Sequence, residues 1–583
     1  MAGYGRTTRL RDILGDERSR AEIDRLVPGI AENVAAYAAA LDLPVSVTLE
    51  HGGWIDPDRL SVFWAALARI EVDQAPEPPA IEPDPAYEDD LVTRGSAVVT
   101  APASGRAFET AEIVLHGPSH GNPFVDVELT ALFELGDVEV RVGGFYDGDG
   151  RYVLRFLPQS AGDWTWRTSA TARSLDGLSG TLRIGPGDGS GLIRVAETFH
   201  FADANGRPFV PIGTTAYAWT HQSAQLQRQT LDTLASGPFT KVRMCVFPKS
   251  FDYNHDEPTL FPFERGADGW DLTRFDPAFF QHLEEQIAAL LELGIQADLI
   301  LFHPYDRWGF AEMGSAADDR YVSYVVRRLA ALPNVWWSLA NEYDFVWSKK
   351  SEDWHRLAGI VVREDHVGHL LSIHNGAAFF DNSADWVTHA SLQKVDPYRT
   401  TENVTGWRSQ WGKPVVVDET GYEGDIDWTW GNLSAVEMVR RFWEAATRGG
   451  YATHGETYWN EQEELWWSKG GQLRGDSPAR IAFLSSMIQE SPSGRLDPLP
   501  AGEYPVGGVA GEYEVHYFGV HQPRFFTVHA PAGRRVEIDV IDTWAMTVER
   551  FGDTHEGSVL VRLPGRPSMA IRTRTVTPGP CSD

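Results

Sequence analysis

Two carboxylates stand out because each closes an apolar run. Trp336-Trp337-Ser338-Leu339-Ala340-Asn341-Glu342 and Val415-Val416-Val417-Asp418-Glu419-Thr420-Gly421 both read as buried parallel strands that stop on an acid. A carboxylate at a buried strand end costs solvation energy unless it is paired or used. Two of them, 77 residues apart, suggest two strands of one barrel aiming acids at one site. Cleavage of a glycosidic bond needs such a pair. One carboxylic acid protonates the leaving oxygen, while a second carboxylate attacks the anomeric carbon or activates water. The acid must stay protonated near neutral pH, and burial beside a like charge achieves that. Taken alone, Asn341-Glu342 reads equally well as a loop, and Asp418-Glu419-Thr420-Gly421 as a turn and helix cap. The shared strand-end context is what singles them out.

The elements that must position these acids come next. Between residues 198 and 495 strands alternate with amphipathic helices. Candidate strands are Phe209–Thr214, Lys241–Phe247, Gln296–Leu301, Val335–Leu339, Leu370–Ile373, Trp386–Ala390, Val415–Val417 and Tyr451–Thr453. This pattern matches an α/β fold of the (β/α)8 TIM-barrel type, in which catalytic groups sit at the C-terminal strand ends.

Reading those ends collects a polar set. Asn341, beside Glu342, is placed to bind a substrate hydroxyl. His303 and Asp306 after the third strand could also bind hydroxyls, and His374 after the fifth could contact a hydroxyl or the nucleophile. The sixth strand yields His389, with Gln393 just beyond. Arg243 projects from the second strand, either toward the nucleophile or toward an internal acid. Glu456, after the eighth, is a third strand-end carboxylate and the rival to Glu419. Trp308, Trp459 and Trp466 are candidate platforms for sugar rings, and Tyr217 and Trp219 could close the pocket. Each has a plainer reading as a bonded histidine, a helix-capping aspartate or a core tryptophan. The spacing of His303, Asp306 and His374 fixes no metal geometry, so no metal is expected. No phosphate-binding glycine loop follows any strand, and no cofactor is expected.

The flanks differ in pattern. Residues 1–72 carry helical periodicity, and 73–91 form a proline-rich linker. Residues 92–197 alternate with period two between glycine turns, which suggests a β-sandwich. Residues 496–583 read as a small antiparallel C-terminal β-domain. The chain has 51 basic and 82 acidic residues, a formal charge of −31, which disfavours nucleic acid and anionic membranes as partners. No 18-residue apolar run and no N-terminal apolar leader occur, so a cytoplasmic protein is expected. Cys245 and Cys581 alone cannot build a disulfide framework.

The chain resembles the clan A glycoside hydrolases, whose pattern is Asn-Glu at the end of strand four and Glu at the end of strand seven. It is similar to a bacterial branch with an N-terminal β-sandwich and a C-terminal β-domain. The motifs that carry this are Gly117-Pro118-Ser119-His120-Gly121-Asn122-Pro123-Phe124, His303-Pro304-Tyr305-Asp306-Arg307-Trp308, Thr453-His454-Gly455-Glu456-Thr457-Tyr458 and Ile541-Asp542-Thr543-Trp544. The resemblance covers all but the first 85 or so residues. It implies a retaining glycosidase with Glu342 as acid/base and Glu419 as nucleophile. Long segments after strands two and four suggest a walled pocket, hence exo action on a terminal sugar of an oligosaccharide or glycoside. Transglycosylation by the same residues, or an inactive carbohydrate-binding protein, are the alternatives. The N-terminal helices could pack on a neighbouring subunit, making a homo-oligomer.

Overall fold

The computed structural model describes residues 81–576, except 268, 395, 397 and 398; of the first 80 it describes residues 2–5, 8–26, 29, 41, 45 and 60–72. Within residues 1–72 Asp56 reads as a helix cap with Pro57 at the first helical position; this start, the prolines of 73–80 and Cys581 lie outside the described residues.

Eight parallel strands form the centre: β1 (Gly213–Thr215), β2 (Lys241–Cys245), β3 (Gln296–Phe302), β4 (Val335–Ala340), β5 (Leu371–Ser372), β6 (Ala390–Gln393), β7 (Val415–Glu419) and β8 (Tyr451–His454). Their order is β5-β4-β3-β2-β1-β8-β7-β6, and a single bridge between His374 and Ser391 joins the last pair of edges. The result is a nearly closed (β/α)8 barrel. Helices such as Pro277–Glu292, Ser315–Leu329 and Ala435–Thr447 bury apolar faces against the strands. The last of these starts on Ser434, whose side chain caps the Glu437 N–H.

Alternation along the strands builds the interior in layers. At the N-terminal end Trp336, Val416 and Tyr451 pack with Ile193, Phe201 and Leu370, so an outlying hairpin plugs the barrel floor. Above it lies a charged layer of Lys241, Arg243, Asp298 and Asp418, all with fully buried side chains. The layer above that carries the residues at the strand ends.

Two strand expectations are corrected. The first barrel strand does not begin at Phe209: Pro208–Phe209 pairs with Phe201 and Ala202 in the floor hairpin instead. Pro211 lacks an N–H and cannot continue a central ladder. The sixth strand is Ala390–Gln393, four residues later than its expected start at Trp386. His389 therefore sits at the floor, its ring against Trp336 and Phe201 at 5.2 and 5.7 Å, and Gln393 occupies the catalytic end.

On one side of the barrel, a five-stranded and a four-stranded sheet face each other across Phe133, Leu154, Phe156, Trp164, Trp166 and Leu182. Buried ion pairs fasten them to barrel helices: Arg328 bonds Asp147 at 2.7 Å, and Arg155 bonds Glu284 at 2.7 Å. After the barrel, a six-stranded sheet and a two-stranded hairpin share a core of Phe518, Val528, Ile538 and Val561. The short N-terminal helices Leu10–Gly15 and Glu17–Leu26 lie near the barrel mouth. Arg9 contacts Glu312 at 3.1 Å and covers the Trp347 ring at 5.7 Å, so this segment packs on loops of its own chain.

Candidate active site

β4 ends at Ala340 and hands the chain to Asn341 and Glu342. Glu342 adopts the left-handed backbone conformation, φ 51° and ψ 56°. That costs a non-glycine residue on the order of 1–2 kcal/mol and persists only where the surroundings impose it. Here the Glu342 carbonyl accepts the Phe345 N–H at 2.8 Å, while Tyr343 N–H donates to the His374 carbonyl at 2.9 Å. Strain at a strand-end acid is thus held by bonds to the next βα loop.

A hydrogen-bonded chain links the two glutamates. Asn341 Nδ2 donates to Glu342 Oε2 at 3.2 Å, and Asn341 Oδ1 accepts from Arg243 Nη2 at 3.0 Å. The Tyr217 hydroxyl donates to Glu419 and lies 3.2 Å from Asn341 Oδ1 and 3.3 Å from the Tyr422 hydroxyl. Tyr305 and Gln393 hold Glu342 from other sides: the Tyr305 hydroxyl donates to Oε2, and Gln393 Nε2 donates to Oε1 at 2.8 Å. Gly455 is required beside this cluster, because a Cβ there would fall 1.9 Å from the Tyr422 ring.

His374 approaches Glu419 with Nε2 at 3.5 Å, beyond good hydrogen-bond geometry. Its Nδ1 faces Ser391 Oγ at 3.1 Å, and Ser391 donates to Asp418 at 2.6 Å. The charged layer below therefore orients the ring beside Glu419.

These surroundings split the two acids. Burial, and then the Glu419 charge, push Glu342 up to about 8, against the bonds from Tyr305 and Gln393. Burial also acts on Glu419, but His374, Tyr217 and Arg243 outweigh it and hold that carboxyl at about 2. At neutral pH one member of the pair is a proton donor and the other an anion.

The remaining sequence candidates divide. Tyr217, Asn341 and His374 come to the glutamates. Arg243 lies beneath them in the barrel core and positions Asn341. His303 is buried, with Nε2 3.2 Å from the Phe247 carbonyl; burial, then the Lys249 charge, drop it to about 3, so it is neutral. Asp306 is a correction: its oxygens accept the Trp308, Gly309 and Ala311 N–H groups, so it caps its own loop. Glu456 is another, since its carboxylate accepts from Arg474 and Gly475 N–H groups and is spent on a loop far along the chain. Trp466 is a third: it is 1% exposed and its Nε1 donates to Thr214 Oγ1 at 2.8 Å, making it core. Trp308 sits at the rim with Nε1 bonded to Glu257, and Trp459 is 52% exposed.

Tyr305 stood in the motif after the third strand without a role, and Tyr422, Lys249 and Trp467 were not among the site candidates. Tyr305 follows His303 by two positions, so strand alternation carried past the strand end would have given it one. For Trp467 the doublet hid the answer, because neighbouring residues face apart. The Lys249 ammonium lies 3.9 Å from the Tyr217 ring centre, 4.5 Å from Tyr305 and 4.8 Å from Trp467. A cavity of about 630 Å³ opens to one side, between Thr220, Glu257, His282 and Lys469, and neither glutamate lines it. Among the described residues no cluster of His, Cys, Asp or Glu could hold a metal ion, and no helix is long and apolar enough to cross a membrane.

Comparison with known proteins matches this architecture. Residues 196–479 match the model of an apiosidase-like catalytic domain. Residues 105–171 and 503–574 match two domains of unknown function, DUF5060 and DUF5605. A solved structure from Bacteroides vulgatus, described as a candidate glycoside hydrolase, is 37% identical; the match covers 82% of this chain and 100% of that one, with a TM-score of 0.77. A family 5 glycoside hydrolase from Bacteroides vulgatus is 16% identical, with 66% and 94% of the two chains covered and a TM-score of 0.53, a likeness of fold. None of the curated proteins matches. With the strand-end acids, the barrel and a relative matched over its whole length, the chain belongs to the glycoside hydrolases and is a glycosidase.

Proposed function

We propose that the enzyme is a retaining, exo-acting glycosidase in which Glu419 is the nucleophile and Glu342 the acid/base. The observation that carries this reading is the opposite protonation of two carboxyls in one hydrogen-bonded cluster. Glu419 attacks the anomeric carbon while Glu342 protonates the departing oxygen. Esterification removes the Glu419 charge, which is one of the two main causes of the raised Glu342 pKa. Glu342 then loses its proton more readily and serves as base for the incoming water. The same electrostatics drive both half-reactions in sequence. Tyr217 holds the nucleophile, and Tyr305 with Gln393 holds the acid.

Exo action is favoured by the burial of both acids: Glu342 is 7% exposed, and the Glu419 side chain 12%. The matched family's description points to a terminal apiosyl unit, a branched pentofuranose, as the sugar released. A panel of aryl pyranosides and furanosides of both anomers, aryl apiosides included, tests the sugar. Azide added to Glu419→Ala should restore turnover and yield a glycosyl azide of inverted configuration. Undiminished hydrolysis by Glu419→Ala without azide would remove Glu419 from the mechanism.

A further inference from the structure

Lys249 is the one residue at this site whose charge the proposed chemistry does not use. It follows β2 on a segment fixed by the backbone: Val246 N–H donates to the Ile300 carbonyl at 2.9 Å, and Ser250 N–H to the Tyr305 carbonyl at 2.9 Å. Asn254 Nδ2 bonds the Lys249 carbonyl at 2.7 Å, so the residue is held in register beside Tyr305. Lys249 is 4% exposed. Its ammonium stands among the faces of Tyr217, Tyr305, Trp467 and, at 5.6 Å, Phe251. Two of these rings carry the hydroxyls that hold the glutamates.

Within the described residues the ammonium makes no hydrogen bond and has no carboxylate within 4 Å; burial lowers its pKa, and the charges of Glu419 and Glu342 act against that. A buried ammonium has three donors to satisfy, and aromatic faces offset only part of the lost hydration. The other buried lysines among the described residues show the ordinary solution. Lys241 bonds Asp298 and Asp418 at 2.6 Å each, Lys349 bonds Asp318 at 2.9 Å, and Lys469 meets Asp256 at 3.3 Å. An unpartnered donor set held rigidly against the two tyrosines that bond the carboxyl pair is the mark of a group whose partner arrives from outside.

We propose that Lys249 is a substrate-contacting residue, whose ammonium donates hydrogen bonds to hydroxyl groups of the sugar ring lodged between Glu342 and Glu419. The aromatic faces around it supply the apolar wall for the C–H face of the same ring. The ammonium is oriented before substrate enters, so little ordering remains to be done on binding. A sugar lacking the contacted hydroxyl would leave the charge buried and unsatisfied, and so would be rejected.

This inference rests on the assignment of Glu342 and Glu419, and one experiment separates the two. Lys249→Met keeps the aliphatic stem between the rings and removes the charge. Its melting temperature should match or exceed that of the wild type, because an uncompensated buried cation is gone. On the aryl glycoside that the wild type hydrolyses best, kcat/KM should fall about ten- to hundredfold, the worth of a charge-assisted hydrogen bond. On the monodeoxy analogue lacking the contacted hydroxyl, wild type and variant should differ by less than about threefold. A clear drop in melting temperature would make Lys249 structural and overturn the proposal. So would equal losses on the parent and every deoxy glycoside, or no loss at all. If Glu419→Ala and Glu342→Ala abolish turnover while Lys249→Met does not impair it, only the lysine inference falls. If the glutamate variants stay active, the assignment beneath it falls.

Discussion

Asp418 and Glu419 are neighbours in sequence and belong to two layers of one barrel that treat charge in opposite ways. In the lower layer Lys241 and Arg243 meet Asp298 and Asp418, and every charge has an opposite charge within 4 Å. The pairing holds Asp418 far below the usual carboxylate range, Lys241 and Arg243 outweighing its burial. One residue further on, Glu419 and Glu342 are acids that repel each other, and Lys249 has no ion-pair partner among the described residues. The lower layer is closed and has spent its electrostatics on holding side chains in place. The upper layer is left unbalanced, and that imbalance is what splits the two pKa values. Under the proposed function, stability and chemistry fall to successive residues of the same strand.

The sharpest way to break this comparison is to remove the acids. Glu419→Ala and Glu342→Ala should each lower turnover by about a thousandfold or more, measured on a glycoside whose poor leaving group needs protonation, with the melting temperature held within a few degrees or raised. A large stability loss in these variants would mean that the upper layer is structural after all. The opposite variant, Asp418→Asn, leaves Lys241 short of a counter-charge and should cost about 3–5 kcal/mol of folding free energy, read from the denaturant midpoint. An unchanged midpoint would contradict the division between layers.

A smaller effect is expected of Tyr305→Phe. The lost hydroxyl favours the ionised form of Glu342, so the alkaline limb of kcat/KM should move up by about one pH unit. The gentlest test is pH itself. Activity should fall as pH rises through about 8, where Glu342 gives up its proton, whereas Glu419 keeps its charge down to about 2. The stability signs follow: Glu342, raised on folding, contributes stability below its unfolded pKa, and this is lost as pH climbs through about 8. Glu419, depressed on folding, contributes above its unfolded pKa and loses it as pH drops through about 2. Glu342→Gln should flatten the alkaline loss, a change of a few degrees in melting temperature at pH 9 relative to pH 6; an identical pH dependence would place the alkaline titration elsewhere.

Strand-end acids were legible because burial writes itself into sequence as unbroken apolar runs. The runs expected at Val335–Leu339 and Val415–Val417 fall inside strands that extend one and two residues further, to Ala340 and Glu419. Strand six was misplaced because Trp386-Val387-Thr388 is apolar enough to imitate a strand while forming the approach to one. Asp306, Glu456 and Trp466 have the residue types of a sugar site, and their sequence contexts gave no sign that backbone N–H groups or the core had already claimed them. A side chain's partners on another strand are invisible in one dimension.

The sequence by itself determined the barrel, the order of its strands and the two acids at the ends of the fourth and seventh, because hydrophobic periodicity and chain order are one-dimensional properties. Only the tertiary structure decided what surroundings set the two acids apart, which polar candidates face them, and that a lone lysine stands in an aromatic cage beside them. Those outcomes depend on burial and on charges brought together from distant positions, and distance across a fold is what a sequence does not contain.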